Sequence, residues 1–121
     1  MPNFIKTTTR THIGTPTFWA FHQNNSGGYF EDELPMFLIV EATSYGQANA
    51  IAESLGVDFQ DSNTFSGDRW SRQMYYSDST SAPVLYGEDV EKFIAETKYL
   101  CHPYLAAIVR LNGETTHYHK A

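Results

Sequence analysis

The segment Pro35–Ala42 constrains the fold of this chain more than any other. It is nearly continuous in apolar residues, and its longest unbroken apolar run is Met36–Val40. A run this short cannot cross a bilayer, which needs about 20 apolar residues in a helix. It is β-branched near its end, as is typical of a strand inside a sheet. We therefore predict a buried central strand at residues 35–42.

Helical periodicity follows directly after this strand. Thr43–Leu55 is predicted to be a helix, because Ser44 and Gln47 have the spacing of a capping box. Its apolar positions fall on one face, and Gly56 is expected to end it. A second amphipathic helix is predicted from about Glu88 to Leu100.

Alternating aromatic residues at Thr17–Gln23 predict another strand. The C-terminal region is predicted to be a β-hairpin, because Asn112-Gly113 is the strongest short turn signal in the chain. A two-residue loop with positive φ at both positions would fix the strand register. The expected pairs are Leu111 with Glu114, Ile108 with His117, and Ala106 with His119.

These elements predict one α+β domain over residues 1–121. The expected architecture is an antiparallel sheet of about four or five strands, with two amphipathic helices on one face and the C-terminal hairpin. Residues 1–15 are rich in Thr and are predicted to be either a loose arm or an edge strand. Residues 57–87 show no clear periodicity, which favours a functional or mobile segment.

Composition narrows the class of protein. Hydrophobic residues make up 41% and charged residues 18% of the chain, which excludes a disordered protein. The net charge of −6 argues against long nucleic acid as a partner. The single cysteine, Cys101, excludes an internal disulfide framework. Because the start lacks an apolar signal stretch, we expect a cytoplasmic protein that does not bind a membrane.

One polar loop stands out as a candidate ligand site. Its amides and hydroxyls can read a base edge or a ribose, and its glycines let backbone N–H groups approach a phosphate. The alternative is a loop selected for turn chemistry alone. The residues concerned are His22, Gln23, Asn24, Asn25, Ser26, Gly27 and Gly28.

A second candidate is the segment Gly67–Trp70. The guanidinium of Arg69 can grip a phosphate while the indole of Trp70 stacks on a base, and Arg72 lies two residues further on. The alternative is that Trp70 fills the core and Arg69 pairs with a surface acid.

Histidines raise the question of metal binding and catalysis. His117 and His119 lie on one face of the predicted last strand, and a third ligand would have to come from His22 or His102. The alternative is a solvated strand, and we predict neither a metal nor another cofactor. No convincing catalytic set is visible; if the protein is an enzyme, His22 is the expected general acid or base.

The chain resembles a family of small phage-encoded proteins of unknown function over residues 17–75. The resemblance rests on the aromatic strand with its His22–Gly28 loop, on the alanine-rich helix, and on Gly67–Trp70, in that order. Such proteins carry cysteines just before the last segment, whereas this chain has Ser62–Ser66 there. The resemblance implies a phage origin, and small phage proteins often act against host defences.

These observations favour a counter-defence protein that binds and sequesters a small nucleotide signal, such as a cyclic oligonucleotide or an ADP-ribose derivative. One alternative is a hydrolase of the same signals. Another is an inhibitor that binds a host defence protein through its acidic first half, since residues 15–60 hold six acids and neither Lys nor Arg. The high aromatic content, 15%, also predicts a homodimer or a larger homo-oligomer.

Overall fold

The central strand and its neighbours are described by a computed structural model that covers residues 16–23, 33–59, 70–97 and 102–120. The predicted N-terminal arm, residues 1–15, lies outside the described residues. Six strands and two α-helices follow one another along the described chain, with one short 3-10 helix, Tyr76–Asp78, between α1 and β3. They are β1 (Thr17–His22), β2 (Phe37–Ala42), α1 (Tyr45–Ser54), β3 (Val84–Leu85), β4 (Glu88–Asp89), α2 (Val90–Glu96), β5 (Tyr104–Val109) and β6 (Thr115–His119).

The main sheet has four strands in the order β1-β2-β5-β6. Strand β2 lies inside it, as predicted from Pro35–Ala42, and pairs antiparallel with β1 and parallel with β5. The prediction of a wholly antiparallel sheet was therefore wrong. The chain between β2 and β5 is long and contains both helices, and a connection of that kind is what a parallel pair requires.

Both faces of the sheet are covered, and the two helices lie on opposite faces. Helix α1 packs Ala48 and Ala52 against the face that carries Trp19 and Val40. Helix α2 packs on the other face, which carries Ile39. The prediction of both helices on one face was wrong, because a strand that is apolar on both sides needs cover on both.

Helix α1 begins and ends as its sequence predicts, with one difference. The backbone N–H of Gln47 donates to the Ser44 hydroxyl at 3.1 Å, which is half of the capping box. The Gln47 side chain, however, accepts from the backbone N–H of Thr43 at 2.7 Å, one residue before the cap. At the other end, Gly56 and Val57 donate to helix carbonyls in a Schellman pattern.

Helix α2 is shorter than predicted. Residues Glu88 and Asp89, which were expected to begin it, form β4 instead. The helix begins after Asp89, whose carboxylate accepts from the backbone N–H groups of Glu91 and Lys92. It ends at Glu96, because Thr97 is extended.

The irregular segment that follows Trp70 runs along the outer edge of β1. Asn49 of α1 is buried and bonds both the N–H and the C=O of Gln73, each at 2.9 Å. The Gln73 side chain donates to the carbonyl of Ala20. Further on, Thr80 exchanges two backbone hydrogen bonds with Phe18. This edge of the sheet is therefore closed by side-chain and backbone bonds rather than by a full strand.

Strands β5 and β6 pair antiparallel, but not in the predicted register. Ala107 faces His117 and Ile108 faces Thr116, one residue away from the predicted pairs. The predicted partners were wrong because the connection has three residues. Arg110 and Glu114 close the loop, and the backbone N–H of Gly113 donates to the carbonyl of Arg110 at 2.9 Å. A one-residue change in register moves every side chain of the second strand to the other face.

Candidate functional site

Four rings meet where β1 ends and β2 begins, and we refer to them as the Tyr86 cluster: His22, Phe37, Tyr86 and Phe93. The ring of Tyr86 lies 5.4 Å from that of Phe93 and 6.3 Å from that of Phe37, between centroids. His22 lies 6.4 Å from both Phe37 and Tyr86. Phe37 and Phe93 meet edge to face at 5.5 Å. These contacts fall within the range of attractive aromatic pairs.

Three different parts of the fold hold these rings together. His22 and Phe37 are paired residues of β1 and β2 on the face covered by α2. Phe93 comes from α2 itself. Tyr86 comes from the turn between β3 and β4, which brings its ring over the other two elements. The cluster therefore depends on tertiary structure and has no contiguous sequence signature.

Tyr86 has an unusual backbone for its residue type. Its φ is +51°, and the φ of Gly87 is +80°. Because Leu85 pairs with Glu88, these two residues form a two-residue turn with positive φ at both positions. Such positions favour Asn, Asp or Gly, and a bulky residue there is strained.

The same residue is also the most exposed of the large hydrophobic side chains described, at 72%. Exposure of an aromatic side chain does not by itself require a strained backbone. Strain of this kind persists where the surroundings impose it, and it concentrates at functional sites. The Tyr86 ring is therefore exposed to solvent and packs on the rings of His22, Phe37 and Phe93.

His22 adds a polar group to this platform. Burial lowers the pKa of its imidazole below the ordinary value. The ring is therefore neutral at neutral pH, with one nitrogen that donates and one that accepts a hydrogen bond. It can bond the edge of a planar ligand that stacks on Tyr86.

Gln23, the next predicted site residue, is buried and bonds the chain that leads into β2. Its side-chain amide donates to the carbonyls of Leu34, at 3.2 Å, and Pro35, at 3.0 Å. Its backbone N–H donates to the carbonyl of Met36 at 2.9 Å. The rest of the predicted loop, Asn24–Gly28, lies outside the described residues.

Trp70 lies in the hydrophobic core at 2% exposure, which fits the core role rather than the base-stacking role. Arg72 is bound to Glu53 at 2.8 Å, and its guanidinium lies 4.7 Å from the ring centre of Phe59. Phe59 packs on Phe21, on the opposite face of the sheet from His22. The structure therefore does not bring Trp70 or Arg72 to the Tyr86 cluster. Arg69 lies outside the described residues.

The histidine pair of β6 has a different neighbour from those predicted. His117 and His119 share a face with Tyr104, whose hydroxyl lies 2.6 Å from Nδ1 of His117. His22 is on the other face, and Nε2 of His102 lies 2.7 Å from the carbonyl of Leu34. Within the described ranges, no three His, Cys, Asp or Glu side chains form a group that could hold a metal ion.

Sequence reasoning found His22 but missed its three partners. The sequence pattern indicates that Phe37 and Phe93 are core residues. Phe37 is indeed buried in the core, and Phe93 packs against it. Tyr86 lies within the segment interpreted as irregular, and Tyr-Gly is not among the dipeptides that signal a two-residue turn. The one available signal is Gly87, which follows a short apolar pair and precedes two acids.

Comparison with protein families assigns the chain to one of them. Residues 16–121 match the family described as a domain of unknown function, DUF7296, and the chain belongs to that family. Searches of curated proteins and of solved structures return no match. Among the helices that the structure describes, none has the length and apolar character needed to cross a membrane.

Proposed function

We propose that the Tyr86 cluster binds the planar base of a small nucleotide-like molecule, and that the protein sequesters this molecule. The observation that carries the proposal is the exposed, strained Tyr86 ring supported by Phe93 and Phe37. Stacking of a base on an aromatic ring contributes about 1–3 kcal/mol and tolerates any base. Sequestration needs such a surface and no catalytic group.

Charge determines how the ligand would lie. Glu88 and Asp89 follow the turn directly, and both are exposed. Phosphates are repelled from that side, so they would extend from Tyr86 past His22 toward the end of β1. In the sequence, β1 is followed by Asn24–Gly28, whose amides and glycines suggest contacts with ribose and phosphate. Arg69 is the cation proposed to meet the phosphate.

The biological setting follows from the sequence resemblance. A phage protein that captures a nucleotide signal in the cytoplasm of its host would blunt a defence that depends on that signal. This role requires high affinity and slow release rather than turnover. A homodimer would also fit, because small-ligand pockets often form between subunits.

A thermal-shift screen of the whole chain tests the proposal. The probes are cyclic dinucleotides, cyclic trinucleotides and ADP-ribose. A ligand present at 100 times its dissociation constant stabilises the folded state by about 2.7 kcal/mol, which is readily measured. We expect at least one probe to raise the melting temperature of the wild-type protein. If every probe leaves it unchanged, the proposal is wrong.

A pair of tyrosine variants then locates the site. Tyr86→Ala should weaken binding by about 1–3 kcal/mol, because it removes the stacking surface. Tyr75→Ala is the matched control, since Tyr75 is exposed to a similar degree, 62%, but lies outside the Tyr86 cluster. Equal loss in both variants would place the ligand elsewhere.

Recovery of the ligand separates sequestration from hydrolysis. After incubation and denaturation of the protein, a sequestering protein returns intact nucleotide. A hydrolase that uses the neutral imidazole of His22 as a general base would return cleaved product, and His22→Ala would abolish the cleavage.

A further inference from the structure

A second cluster lies at the edge of the sheet, on the face opposite the Tyr86 cluster, and we refer to it as the histidine face: Tyr104, His117 and His119. The Tyr104 ring stacks on His119, with centroids 4.4 Å apart and planes 20° apart. The two imidazoles are nearly parallel, with centroids 6.4 Å apart. Both histidines are exposed.

A β-bulge creates this arrangement. Ala106 faces Tyr118, but the register shifts between Tyr104 and Ala106, so that Tyr104 faces His119. Leu105 is the extra residue and packs on the other face with α2. Without the bulge, Tyr104 would not face His119. Bulges commonly re-aim a side chain in this way.

His117 and His119 lie two residues apart on one face of β6, so the strand presents two imidazole ligands side by side. In the tautomer in which Nδ1–H of His117 donates to the Tyr104 hydroxyl oxygen, 2.6 Å away, Nε2 keeps the lone pair that a metal needs. A ligating imidazole usually has its other nitrogen fixed by a hydrogen bond, as here. In the part of the chain that the structure describes, neither ring nitrogen of His119 has a hydrogen-bond partner. The two rings are nearly parallel, so sharing one ion requires the His119 ring to turn about χ2, a torsion that is broad in histidine.

We propose that His117 and His119 bind one late first-row divalent cation, with Tyr104 as the positioning residue. Imidazole suits Cu²⁺, Ni²⁺ and Zn²⁺, and affinity for such sites peaks at Cu²⁺. Two protein ligands on an open face leave the remaining positions to water. Hard cations such as Mg²⁺ and Ca²⁺ prefer oxygen ligands and would not bind here.

Calorimetric titration of the metal-stripped, full-length protein tests the proposal. With CuCl₂, NiCl₂ and ZnCl₂ we expect saturable binding of one ion per chain, tightest for Cu²⁺, and none with MgCl₂. His117→Ala and His119→Ala should each abolish saturable binding. Thr115→Ala is the control on the same strand, and it should bind as the wild type does.

Tyr104 is tested by removing its hydroxyl alone. Tyr104→Phe should weaken binding by about tenfold, as expected for a group that orients a ligand without touching the metal. Tyr118→Phe, on the other face of the same strand pair, is the matched control and should have no effect. Melting without metal must be similar for all variants, so that any change reports the site.

Two results would overturn the assignment. One is the absence of saturable binding for all three ions at micromolar concentration. The other is wild-type affinity in the double variant His117→Ala/His119→Ala, which would place the ion at other residues. Neither result bears on nucleotide binding, because the Tyr86 cluster lies on the opposite face.

Discussion

The two hairpin turns of this protein, at Tyr86-Gly87 and at Asn112-Gly113, both end in glycine. They differ in backbone strain and in the contacts that stabilise them. Both glycines have positive φ, +80° for Gly87 and +91° for Gly113. In the first turn the preceding residue is also forced to positive φ, although it is a tyrosine. In the second, a three-residue loop leaves Asn112 outside that region.

The difference lies in what holds each turn in place. Asn112 accepts a hydrogen bond from the backbone N–H of Glu114 at 2.9 Å, so its own side chain stabilises the loop. Tyr86 has no such local bond among those described. It is held by ring contacts with Phe93 of α2, the helix that follows the turn, and with Phe37 of β2, which lies far from it in the sequence. The Asn112-Gly113 turn is stabilised by its own side chain and has no strained residue before the glycine. The Tyr86-Gly87 turn lacks such a local bond within the described ranges, is stabilised by tertiary contacts and presents the exposed ring.

The largest effect is expected at Gly87. Gly87→Val should destabilise the protein by about 2 kcal/mol, because a two-residue turn cannot change its conformation to accept a β-branched residue. Space is not the reason, since nothing lies within 4 Å of a Cβ added at Gly87. Urea unfolding measures the change. Gly87→Asn should be tolerated much better, and equal loss in both variants would mean that φ is not the cause.

A smaller effect is expected at Gly113. Gly113→Val should destabilise the protein by about 1 kcal/mol or more, since a β-branched residue at positive φ is strained. Here too nothing lies within 4 Å of an added Cβ. The longer loop can redistribute part of the strain, so the loss should be below that at Gly87. An unchanged melting temperature would count against the loop geometry described here.

The asparagine of the same loop tests its local chemistry. Asn112→Ala removes the acceptor for the Glu114 N–H and should cost about 0.5–1 kcal/mol, the net value of one exposed hydrogen bond. Thermal unfolding of this variant beside Asn112→Asp gives the comparison. Aspartate keeps the acceptor, and it should stay near wild type. A loss as large for aspartate as for alanine would show that the hydrogen bond is not the stabilising feature.

Much of the fold could be predicted, because its signals are local. The nearly continuous apolar segment Pro35–Ala42 indicated the central strand, and Ser44 with Gln47 indicated the start of α1. The same segment also indicates that both faces of the strand are buried, and the prediction did not use this. A strand that is apolar on both sides needs cover on both faces, which is why α1 and α2 lie apart.

The candidate site was less predictable, for a physical reason. Asn112-Gly113 fixes the position of a turn, but the two-residue and three-residue loops share that sequence and differ in register. The Tyr86 cluster arises only when α2, β2 and the β3–β4 turn are packed together. His22 could be found from its polar neighbours, whereas the ring that makes it a site could not. The strain that marks Tyr86 is visible only as a backbone angle.

The smallest effect on stability, and the sharpest test of the comparison, is Tyr86→Asn. Asparagine accepts positive φ, which relieves strain, but the change also removes the pairing of Tyr86 with Phe93. The left-handed backbone costs about 1–2 kcal/mol and the aromatic pair contributes about 0.5–1.5 kcal/mol, so the two terms oppose each other and are similar in size. The net change in the free energy of unfolding should therefore lie within about 0.5 kcal/mol of zero, as for most surface substitutions.

Ligand binding by the same variant should behave differently. If Tyr86 is a stacking surface, Tyr86→Asn should lose nucleotide-induced stabilisation while it keeps the wild-type melting temperature without ligand. Replacement by Phe should keep both, because the ring remains. Loss of more than about 1 kcal/mol of stability in Tyr86→Asn would instead show that the ring holds α2 against the sheet, since surface substitutions away from such a role rarely cost so much. The strain at Tyr86 would then serve the fold, and the two turns would differ only in their local chemistry.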